Sequence, residues 1–476
     1  MRSRLPRLLT PLVRAALSKR VLPRVAFSGA MSAQILGNRA RSITTYTEGS
    51  DLPRVRPHVW PAPSKDIMAA RDFIRESAAS PKNILIVPDR EPDGMASGTI
   101  VSLVLQLLGK PESEIRIHFT AAGFTIFNPL ERARLSRVCQ KENVSHVIVL
   151  GQGARASWSL LEKSIETKAL IINDQHSDRF LENTVAVSAS RDPPSTTSSL
   201  LTYIVCSELH PEARETTGWL ALLGIFGDLG ARASLEPPYP QELKDFKKKY
   251  TSTHLRDLVT LLNASRRTPE CGTRDAWEIL QYTPQTNPAP TPKSIMKGEA
   301  NAELRERLKD AKTRVNAEVR RCSKMPPRFS KDRKVAIIFM DSPYLVHPLV
   351  ATRWSNYFDP NLTKLVLAAN TGYAEGKVSF SCRAVSGRAR KGDKGGPKEY
   401  ETESWDINVI SILREYLAKD SLLEEQARGE FTNGYKRATG GSVPLDVWML
   451  FLEKGLEITP RKGDFPQKHA LDYIQD

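Results

Sequence analysis

The amino-acid sequence predicts an α/β fold with two units joined by a helical connector. Across positions 84–229, short apolar and β-branched runs alternate with helical segments, which is typical of a mostly parallel sheet with helices on both faces. A second unit begins with another apolar run just after Lys334. A proline-rich segment, 283–292, and a highly charged helical segment lie between the two units.

The first unit contains five apolar runs of strand length and several segments of helical composition. We predict strands at 84–87, 115–119, 147–150, 170–173 and 184–187. We predict helices at 94–108, 129–142, 157–164, 196–208 and 213–223, followed by helical stretches at 240–263 and 274–281. Helices between the strands supply the crossovers that parallel pairing requires.

The second unit is predicted from the same two kinds of pattern. The charged segment 297–324 has a narrow apolar stripe at Leu304, Leu308, Ala311 and Val315, which predicts one long connector helix. Strands are predicted at 335–340, 365–369 and 378–382, and helices at 407–418 and 446–453. The basic stretch 387–398 is predicted to be a surface loop, with nucleic-acid contact as the alternative to plain solvation.

Composition restricts the class of protein. The 476 residues suffice for two or three domains, and no apolar run is long enough to span a membrane. The first 47 residues contain nine Lys or Arg and no acid, so 1–45 is predicted to be a mitochondrial transit peptide, with a disordered basic tail as the alternative. We therefore expect a location in the mitochondrial matrix. The five cysteines form no Cys-x-x-Cys pair, which argues against a zinc ribbon or a disulfide framework.

Three acids, Asp89, Glu91 and Asp93, directly follow the first predicted strand. The carboxyl ends of strands are where open α/β sheets bind their ligands. Clustered carboxylates repel one another unless a cation or a proton lies between them. A divalent metal is the simplest reason for this cluster, and the alternative is a helix N-terminus whose dipole favours acids.

Four short motifs follow one another at strand or helix ends. They are Asp89-Arg-Glu-Pro-Asp-Gly-Met-Ala-Ser97, Gly151-Gln-Gly153, Asp174-Gln-His176 and Gly227-Asp-Leu-Gly230. In order and spacing they resemble the motifs of the DHH phosphoesterase superfamily, in particular its RecJ-type and oligonucleotide-degrading branches, over about positions 83–455. The resemblance implies a DHH-like domain at 80–285, a linker and connector helix at 286–324, and a smaller α/β DHH-associated domain at 325–465.

The resemblance also implies where a substrate binds, in a cleft between the two domains. Ser381 and Arg383 correspond to a Ser-x-Arg element of the DHH-associated domain, and Gly440 and Gly441 to its glycine-rich phosphate loop. For the two glycines, a tight turn that requires positive φ is the alternative. Arg266 and Arg267 resemble the arginine end of an Asn-Ala-x-x-Arg segment, for which phosphate contact is predicted and an ordinary helix end is the alternative.

The chain departs from the family at the metal centre. Gly151 takes the place of an acid that bridges two metals in active members, and Gln175 takes the place of a histidine ligand. The remaining acids are predicted to hold one Mg²⁺ or Mn²⁺ ion rather than two: Asp89, Glu91, Asp93 and Asp228. Asp174 and His176 are predicted to act at the phosphate, with a loop-capping aspartate and a surface histidine as the alternative.

Two functions follow from these residues. In the first, the chain binds nucleic acid, a nucleotide phosphate or a protein partner in the cleft, with a degenerate and inactive metal centre. In the second, it is an active Mg²⁺- or Mn²⁺-dependent phosphodiesterase or exonuclease on short nucleic acids or nucleotides. Loss of the bridging acid favours the first function, and the surviving acids favour the second.

Overall fold

The computed structural model describes residues 59–121, 124–153, 160–161, 166–176, 184–286, 289–298, 300–386, 407–427, 431, 434–435 and 437–459. The predicted transit peptide and the predicted basic loop 387–398 therefore lie outside the described residues. The predicted helix 157–164 also does, except for 160–161, which are not helical.

The N-terminal unit is built on a five-stranded parallel sheet with the strand order β2-β1-β3-β4-β5. The strands are β1 Asn83–Pro88, β2 Ile115–Ile117, β3 Val144–Leu150, β4 Lys168–Asn173 and β5 Thr184–Ser188. The sheet and all five of its strands confirm the predicted pattern. Side chains alternate between the faces of β1, so Ile84 and Ile86 pack into one core while Leu85 and Val87 pack into another. Both faces are covered, which explains why the strands are continuous apolar runs.

Eight helices are described in and directly after this unit. They are α1 Ser64–Ala79, α2 Pro92–Leu107, α3 Pro129–Lys141, α4 Ser198–Cys206, α5 Ala213–Asp228, α6 Glu242–Lys249, α7 Ser252–Ser265 and α8 Thr273–Glu278. The sequence analysis did not predict α1, which buries Ile67, Phe73 and Ile74 in the main core. The predicted stretch 240–263 is two helices rather than one, because the chain leaves the helical conformation at Tyr250.

The connector is a short helix, α9 Pro292–Lys297, and a long one, α10 Ala302–Cys322. Helix α10 begins later than predicted, because Asn301 takes the left-handed conformation directly before it. The predicted apolar stripe is the buried face of this helix: Leu308 belongs to the main core, and Val315 and Val319 belong to a core under the second sheet.

The C-terminal unit contains a six-stranded mixed sheet with the order β10-β11-β9-β8-β7-β6. The strands are β6 Arg328–Phe329, β7 Val335–Met340, β8 Leu365–Asn370, β9 Lys377–Ala384, β10 Gly434–Tyr435 and β11 Ala438–Pro444. Among these described strands, β7 and β8 pair in parallel, and the other pairs are antiparallel.

Four helices accompany this sheet in the described part of the chain: α11 His347–Ser355, α12 Val409–Leu417, α13 Ser421–Gln426 and α14 Leu445–Leu450, which continues as a wider turn through Gly455. Helices α12 and α14 confirm predicted segments, whereas α11 and α13 were not predicted. Within the described residues, no helix combines the length and the apolar character needed to cross a membrane.

Candidate functional site

The turn after β1 brings two of the predicted acids to the same edge of the sheet. Asp89 follows the strand, and α2 begins three residues later at Pro92. The turn is tight because a side chain at Gly94 would come within 2.6 Å of the backbone oxygen of Asp89. Only glycine allows this approach, so Gly94 sets the position of Asp93 in the first turn of α2.

The Asp93 carboxylate is held by the N-terminus of α4. Its Oδ2 accepts a hydrogen bond from the backbone N–H of Ser198 at 2.9 Å, and its Oδ1 accepts one from Ser199 at 3.0 Å. Free N–H groups and the helix dipole both favour an anion at this place. Gly224 of α5 lies against the same carboxylate, where any side chain would overlap it. Asp93 therefore has its two oxygens occupied by protein donors.

Asp174 and Asp228 complete an acidic cluster with Asp89 and Asp93. Asp174 follows β4, and its Oδ1 accepts a hydrogen bond from the Ser198 hydroxyl at 3.0 Å. Asp228 ends α5, where the helix dipole disfavours a negative charge. Burial, followed by the charges of Asp174 and Asp93, raises the pKa of Asp228 well above its usual value. Asp93 and Asp174 both bond Ser198, and their charges act on Asp228, so acids from three chain segments lie close together.

Burial is the main cause of the pKa shifts in this cluster. It raises the pKa of Asp174 to about 7, with further contributions from the charges of Asp93 and Asp89. It raises the pKa of Asp89 to about 6, with the charge of Glu91 acting in the same direction. The pKa of Asp93 is also raised by burial, although the bonds from Ser199 oppose the shift. Burial thus favours the protonated form of these carboxyls, and the negative charges of their neighbours add to the effect on Asp89, Asp174 and Asp228.

Glu91 differs from the other acids because it is ion-paired. Its Oε1 lies 2.7 Å from Nη2 of Arg266, whose Nε donates to Asn263 Oδ1 at 3.1 Å. The Arg266 charge holds the pKa of Glu91 below its usual value. The Glu91 side chain is 50% exposed, so this pair lies at the rim of the cluster.

Basic groups from both units face this rim. Arg267 follows α7, and its backbone carbonyl accepts a hydrogen bond from Leu345 of the C-terminal unit at 3.0 Å. Burial, then the neighbouring Arg266, lowers the pKa of Arg267 to about 9. Arg383 on β9 donates from Nε to the Thr352 hydroxyl at 3.3 Å, and its charge acts on Glu91. The structure thus brings Arg266, Arg267 and Arg383 to one side of the acids.

His347, the first residue of α11, is a further site residue that the sequence analysis missed. Its side chain is 5% exposed, and within the described residues its Nδ1 has no hydrogen-bond partner. Burial, then the charges of Arg383 and Arg267, lowers the pKa of His347 to about 3. A neutral imidazole that is affected by the charges of two arginines fits an anion-binding place. The available signal was a histidine before a proline, shortly after an apolar strand.

The prediction that Gly440 and Gly441 form a glycine-rich phosphate loop is wrong. Gly440 and Gly441 lie within β11, where Gly440 pairs with Ser381 of β9. Neither glycine has positive φ, so the alternative of a tight turn is wrong as well. A side chain at Gly440 would approach the Phe380 carbonyl to 2.8 Å, so this glycine permits close strand packing. Among the described contacts, none joins Ser381, Gly440 or Gly441 to the acids, and their substrate role stays a prediction.

His176 lies at the exposed edge of the site and donates from Nδ1 to the Ala189 carbonyl at 2.9 Å, which leaves its action at a phosphate a prediction. Gly151 has a φ of +70°, and a Cβ built on it would lie 3.4 Å from the Ser198 hydroxyl and 3.5 Å from Asp89. A side chain at position 151 would therefore point into the acidic cluster, where Ser198 is the nearest group.

The described residues do not fit a two-metal centre. Within that part of the chain, no group of three or more His, Cys, Asp or Glu side chains is arranged to hold a metal ion. The reason is visible in the contacts: Asp93 is bound by α4, Asp174 by Ser198, and Glu91 by Arg266. Of the four predicted metal-binding acids, Asp93 and Glu91 thus have protein partners, whereas no described hydrogen bond is donated to the Asp228 carboxylate.

Comparison with known proteins supports the fold. No protein-family model matches the chain, and no curated protein matches it in sequence. Among solved structures, RecJ from Thermus thermophilus in complex with Mn²⁺ matches 84% of this chain and 55% of its own, with a TM-score of 0.54 and 13% identity. This chain therefore spans about half of that protein.

Two further structures match over most of their own length. Exonuclease RecJ bound to manganese matches 88% of this chain and 99% of its own, with a TM-score of 0.53 and 12% identity. The DHH domain of a protein from a family of ribosomal proteins matches 83% and 92%, with a TM-score of 0.52 and 12% identity. At such identities the likeness shows the fold alone. The chain therefore shares the fold of these RecJ and DHH-domain structures, as its order of motifs predicted.

Proposed function

We propose that this protein binds the phosphates of a nucleic acid or nucleotide between its two units and that its metal centre is degenerate. One observation carries the proposal: Ser198 joins two acids of the centre and lies where a side chain at position 151 would point. It bonds Asp93 through its backbone N–H and Asp174 through its hydroxyl. Donors of the protein thus take up oxygens that a bridged metal pair would need.

The basic side of the site supports the choice of ligand. The charges of Arg383 and Arg267 act on His347, whose Nδ1 is buried without a hydrogen-bond partner among the described residues, and Arg266 lies close to Arg267. Guanidinium groups match the geometry of phosphate oxygens, and partial burial strengthens such bonds. Glu91 is the acid that faces this group, and it is half exposed. A phosphate entering the site would exchange places with this carboxylate.

A second candidate function, an active Mg²⁺- or Mn²⁺-dependent phosphodiesterase, is favoured by one observation. Burial and the charge of Asp174 raise the pKa of Asp228, while burial and the charge of Asp89 raise the pKa of Asp174. Within the described contacts the Asp228 carboxyl has no hydrogen-bond donor. If a divalent ion binds, we propose one rather than two, held by Asp228 with Asp89. A bound ion would supply charge neutralisation at the phosphate.

Binding experiments with the full-length protein test the proposal. We expect short single-stranded RNA or DNA, or a dinucleotide, to bind in a salt-sensitive manner by fluorescence anisotropy. Arg383→Gln should weaken binding by at least about tenfold, because a charged hydrogen bond to phosphate is lost. The matched control is Arg307→Gln. Arg307 lies on the connector helix α10 and is paired with Asp275 of α8. Unchanged affinity in Arg383→Gln would contradict the proposal.

Hydrolysis assays separate the two functions. With Mn²⁺ present, we expect no cleavage of the bound oligonucleotide above background. Cleavage that disappears in the Asp93→Ala, Asp228→Ala double variant would establish the active phosphodiesterase instead.

We further propose that the protein is imported into the mitochondrial matrix by residues 1–45. The support is the nine Lys or Arg and the absence of acids in the first 47 residues. A fluorescent protein carrying residues 1–45 should enter mitochondria, whereas the same fusion with its basic residues changed to glutamine should stay outside. A diffuse distribution of both fusions would contradict the proposal.

A further inference from the structure

Helix α11 connects the candidate site to a surface of different character. Its first residue, His347, is buried at the site, and Trp354 lies one residue before its end. At 1.5 Å per residue, the two positions are about 10 Å apart along the helix axis. Thr352, which accepts a hydrogen bond from Arg383, lies between them on the same helix. A ligand at the site therefore has the C-terminal end of α11 within a short distance.

That end of the helix carries a group of rings that we call the aromatic patch: Phe329, Trp354, Tyr357, Phe358 and the adjacent Leu362. The Trp354 and Phe358 rings are stacked with centroids 5.5 Å apart, and Tyr357 lies 6.0 Å from Trp354. Phe329 meets Phe358 edge-on at 5.8 Å. The rings thus form one contiguous surface rather than separate contacts.

One side of the aromatic patch packs on the core, and the other side is partly exposed to solvent. Phe329, Trp354 and Phe358 pack against the apolar residues under the second sheet, which accounts for their inner faces. Tyr357 remains 52% exposed and Leu362 69% exposed. A contiguous group of aromatic rings that stays partly exposed is typical of a binding surface.

One cation contacts the patch, and two others are next to it in the sequence. Arg333 places its guanidinium 5.2 Å from the centre of the Phe329 ring, and the exposed Lys334 is next to it. The backbone carbonyls of these two residues accept bonds from Thr363 and Lys364, directly after Leu362. Arg353 is adjacent to Trp354 in α11. The nearby Asp359 carboxylate accepts a hydrogen bond from the backbone N–H of Asn361 and so stabilises its own turn.

The chain beside the patch leads into a basic stretch of the sequence. The last described residue before the basic stretch, Ser386, donates to the Ser355 carbonyl at 3.1 Å and to Asn356 at 2.8 Å. Positions 387–398, with five Lys or Arg and one acid, follow Ser386 directly in the sequence. An anionic partner is favoured over a second copy of this basic chain.

We propose that the aromatic patch is an accessory surface on which single-stranded nucleic acid stacks its bases, continuous with the phosphate site at the other end of α11. Aromatic faces accept any base, and adjacent arginine and lysine side chains bind the phosphates. The proposal deepens the proposed function and rests on it for the class of ligand. It assigns affinity for longer strands to residues outside the acidic cluster.

Strand length separates the patch from the site. Oligothymidylates of about 4 and about 16 nucleotides span the usual range of single-strand binding sites. In the full-length protein we expect the longer strand to bind more tightly. Tyr357→Ala should weaken binding of the longer strand by about five- to thirtyfold, at the lower end of the effect of losing one stacked base. Binding of the shorter strand should not change.

Three controls make the result specific. Tyr357→Phe keeps the ring and should retain wild-type affinity, and Leu130→Ala removes an exposed apolar side chain of the other unit and should also have no effect. Arg333→Glu should weaken binding of the longer strand and reduce its salt dependence. Quenching of tryptophan fluorescence by the longer strand, smaller in Trp354→Phe, is the accompanying spectroscopic expectation.

The inference is overturned if Tyr357→Ala and Arg333→Glu both bind the longer strand as the wild type does. It is also overturned if Tyr357→Ala abolishes a concentration-dependent self-association, because the patch is then an interface with a second copy. Binding of the longer strand alone, lost in Tyr357→Ala, supports the patch and contradicts the proposed phosphate site. Absence of binding at both lengths contradicts both.

Discussion

The Ser198 hydroxyl donates a hydrogen bond to Asp174 Oδ1 at 3.0 Å, while the backbone N–H of the same serine binds Asp93. Two acids from distant parts of the chain are thereby connected through one residue at the start of α4. A serine can carry this connection because its N–H is one of the free donors at the helix N-terminus. One serine thus supplies a hydrogen-bond donor to each of the two carboxylates.

The charge of Asp174 is expected to destabilise the fold at high pH. Burial raises its pKa from 3.8 to about 7, so the carboxyl is ionised more readily in the unfolded chain than in the folded one. The cost is therefore fully present above about pH 7 and disappears as the pH falls towards 3.8. Asp174→Asn, measured with EDTA present, should raise the free energy of unfolding at pH 8 by about 1–2 kcal/mol, a value reduced for partial exposure.

Denaturant unfolding at a series of pH values checks this expectation. The gain in Asp174→Asn should shrink steadily as the pH is lowered. Asp72→Asn, which changes an exposed acid of α1, is the matched control and should show no such trend. A loss of stability in Asp174→Asn at pH 8 would contradict the assignment.

Glu91 and Arg266 make a pair whose disruption should favour ligand binding. Because the carboxylate is half exposed, Glu91→Gln should change stability by less than about 1 kcal/mol. The substitution frees Arg266 and removes a negative charge, so the affinity for a short oligonucleotide should rise by up to about fivefold. Fluorescence anisotropy measures the change. Weaker binding that depends on Mn²⁺ would instead identify Glu91 as a metal ligand.

His347 is expected to lower the stability of the ligand-free protein and to strengthen ligand binding. Its Nδ1 is buried without a partner among the described residues, which costs free energy in the absence of a ligand. His347→Leu should therefore stabilise the protein by about 1 kcal/mol and weaken oligonucleotide binding several-fold. His146→Leu, which changes a buried histidine of β3, should leave the affinity unchanged. Unaltered binding in His347→Leu would remove this residue from the site.

Position 151 offers a test for gain of function. Its φ of +70° is one that aspartate tolerates better than most residues, so Gly151→Asp should cost about 1 kcal/mol of stability. Combined with Gln175→His, it restores two ligands that the DHH resemblance implies. Because Ser198 takes up the adjacent space, we expect Mn²⁺-dependent hydrolysis only when Ser198→Gly is added as well. Hydrolysis by the wild-type protein at the same level would contradict the view of a degenerate centre.

Much of the fold was accessible from the sequence, since buried parallel strands are apolar runs and their side chains have few alternatives. The strands of the first sheet and the stripe of α10 follow from composition alone. Helices α1 and α11 were missed because a partly polar helix is recognised only by the surface it packs on. Strand β11 was missed because glycine is unusual in a strand. Gly440 is suited to this strand because a side chain would approach the Phe380 carbonyl too closely, and only the structure reveals that contact.

The site was predictable in its acids but not in their partners. Asp89, Asp93 and Asp228 stand out because each follows a strand or a helix in an unusual local setting. The pairing of Glu91 with Arg266 joins positions far apart in the chain, and so does the bond from Ser198 to Asp174. Sequence motifs reveal which residue types are present, whereas these contacts decide whether the oxygens are available to an ion.

Helix α10 is shared by two cores, with Leu308 packed in the N-terminal unit and Val315 and Val319 packed in the C-terminal unit. Because the helix is packed into both cores, it connects the two units rigidly. It resists a hinge motion that would swing the units apart, since opening would pull apolar side chains into water. We therefore expect a ligand to enter along the cleft between the two units. The width of that cleft should limit the thickness of the nucleic-acid strand that can bind.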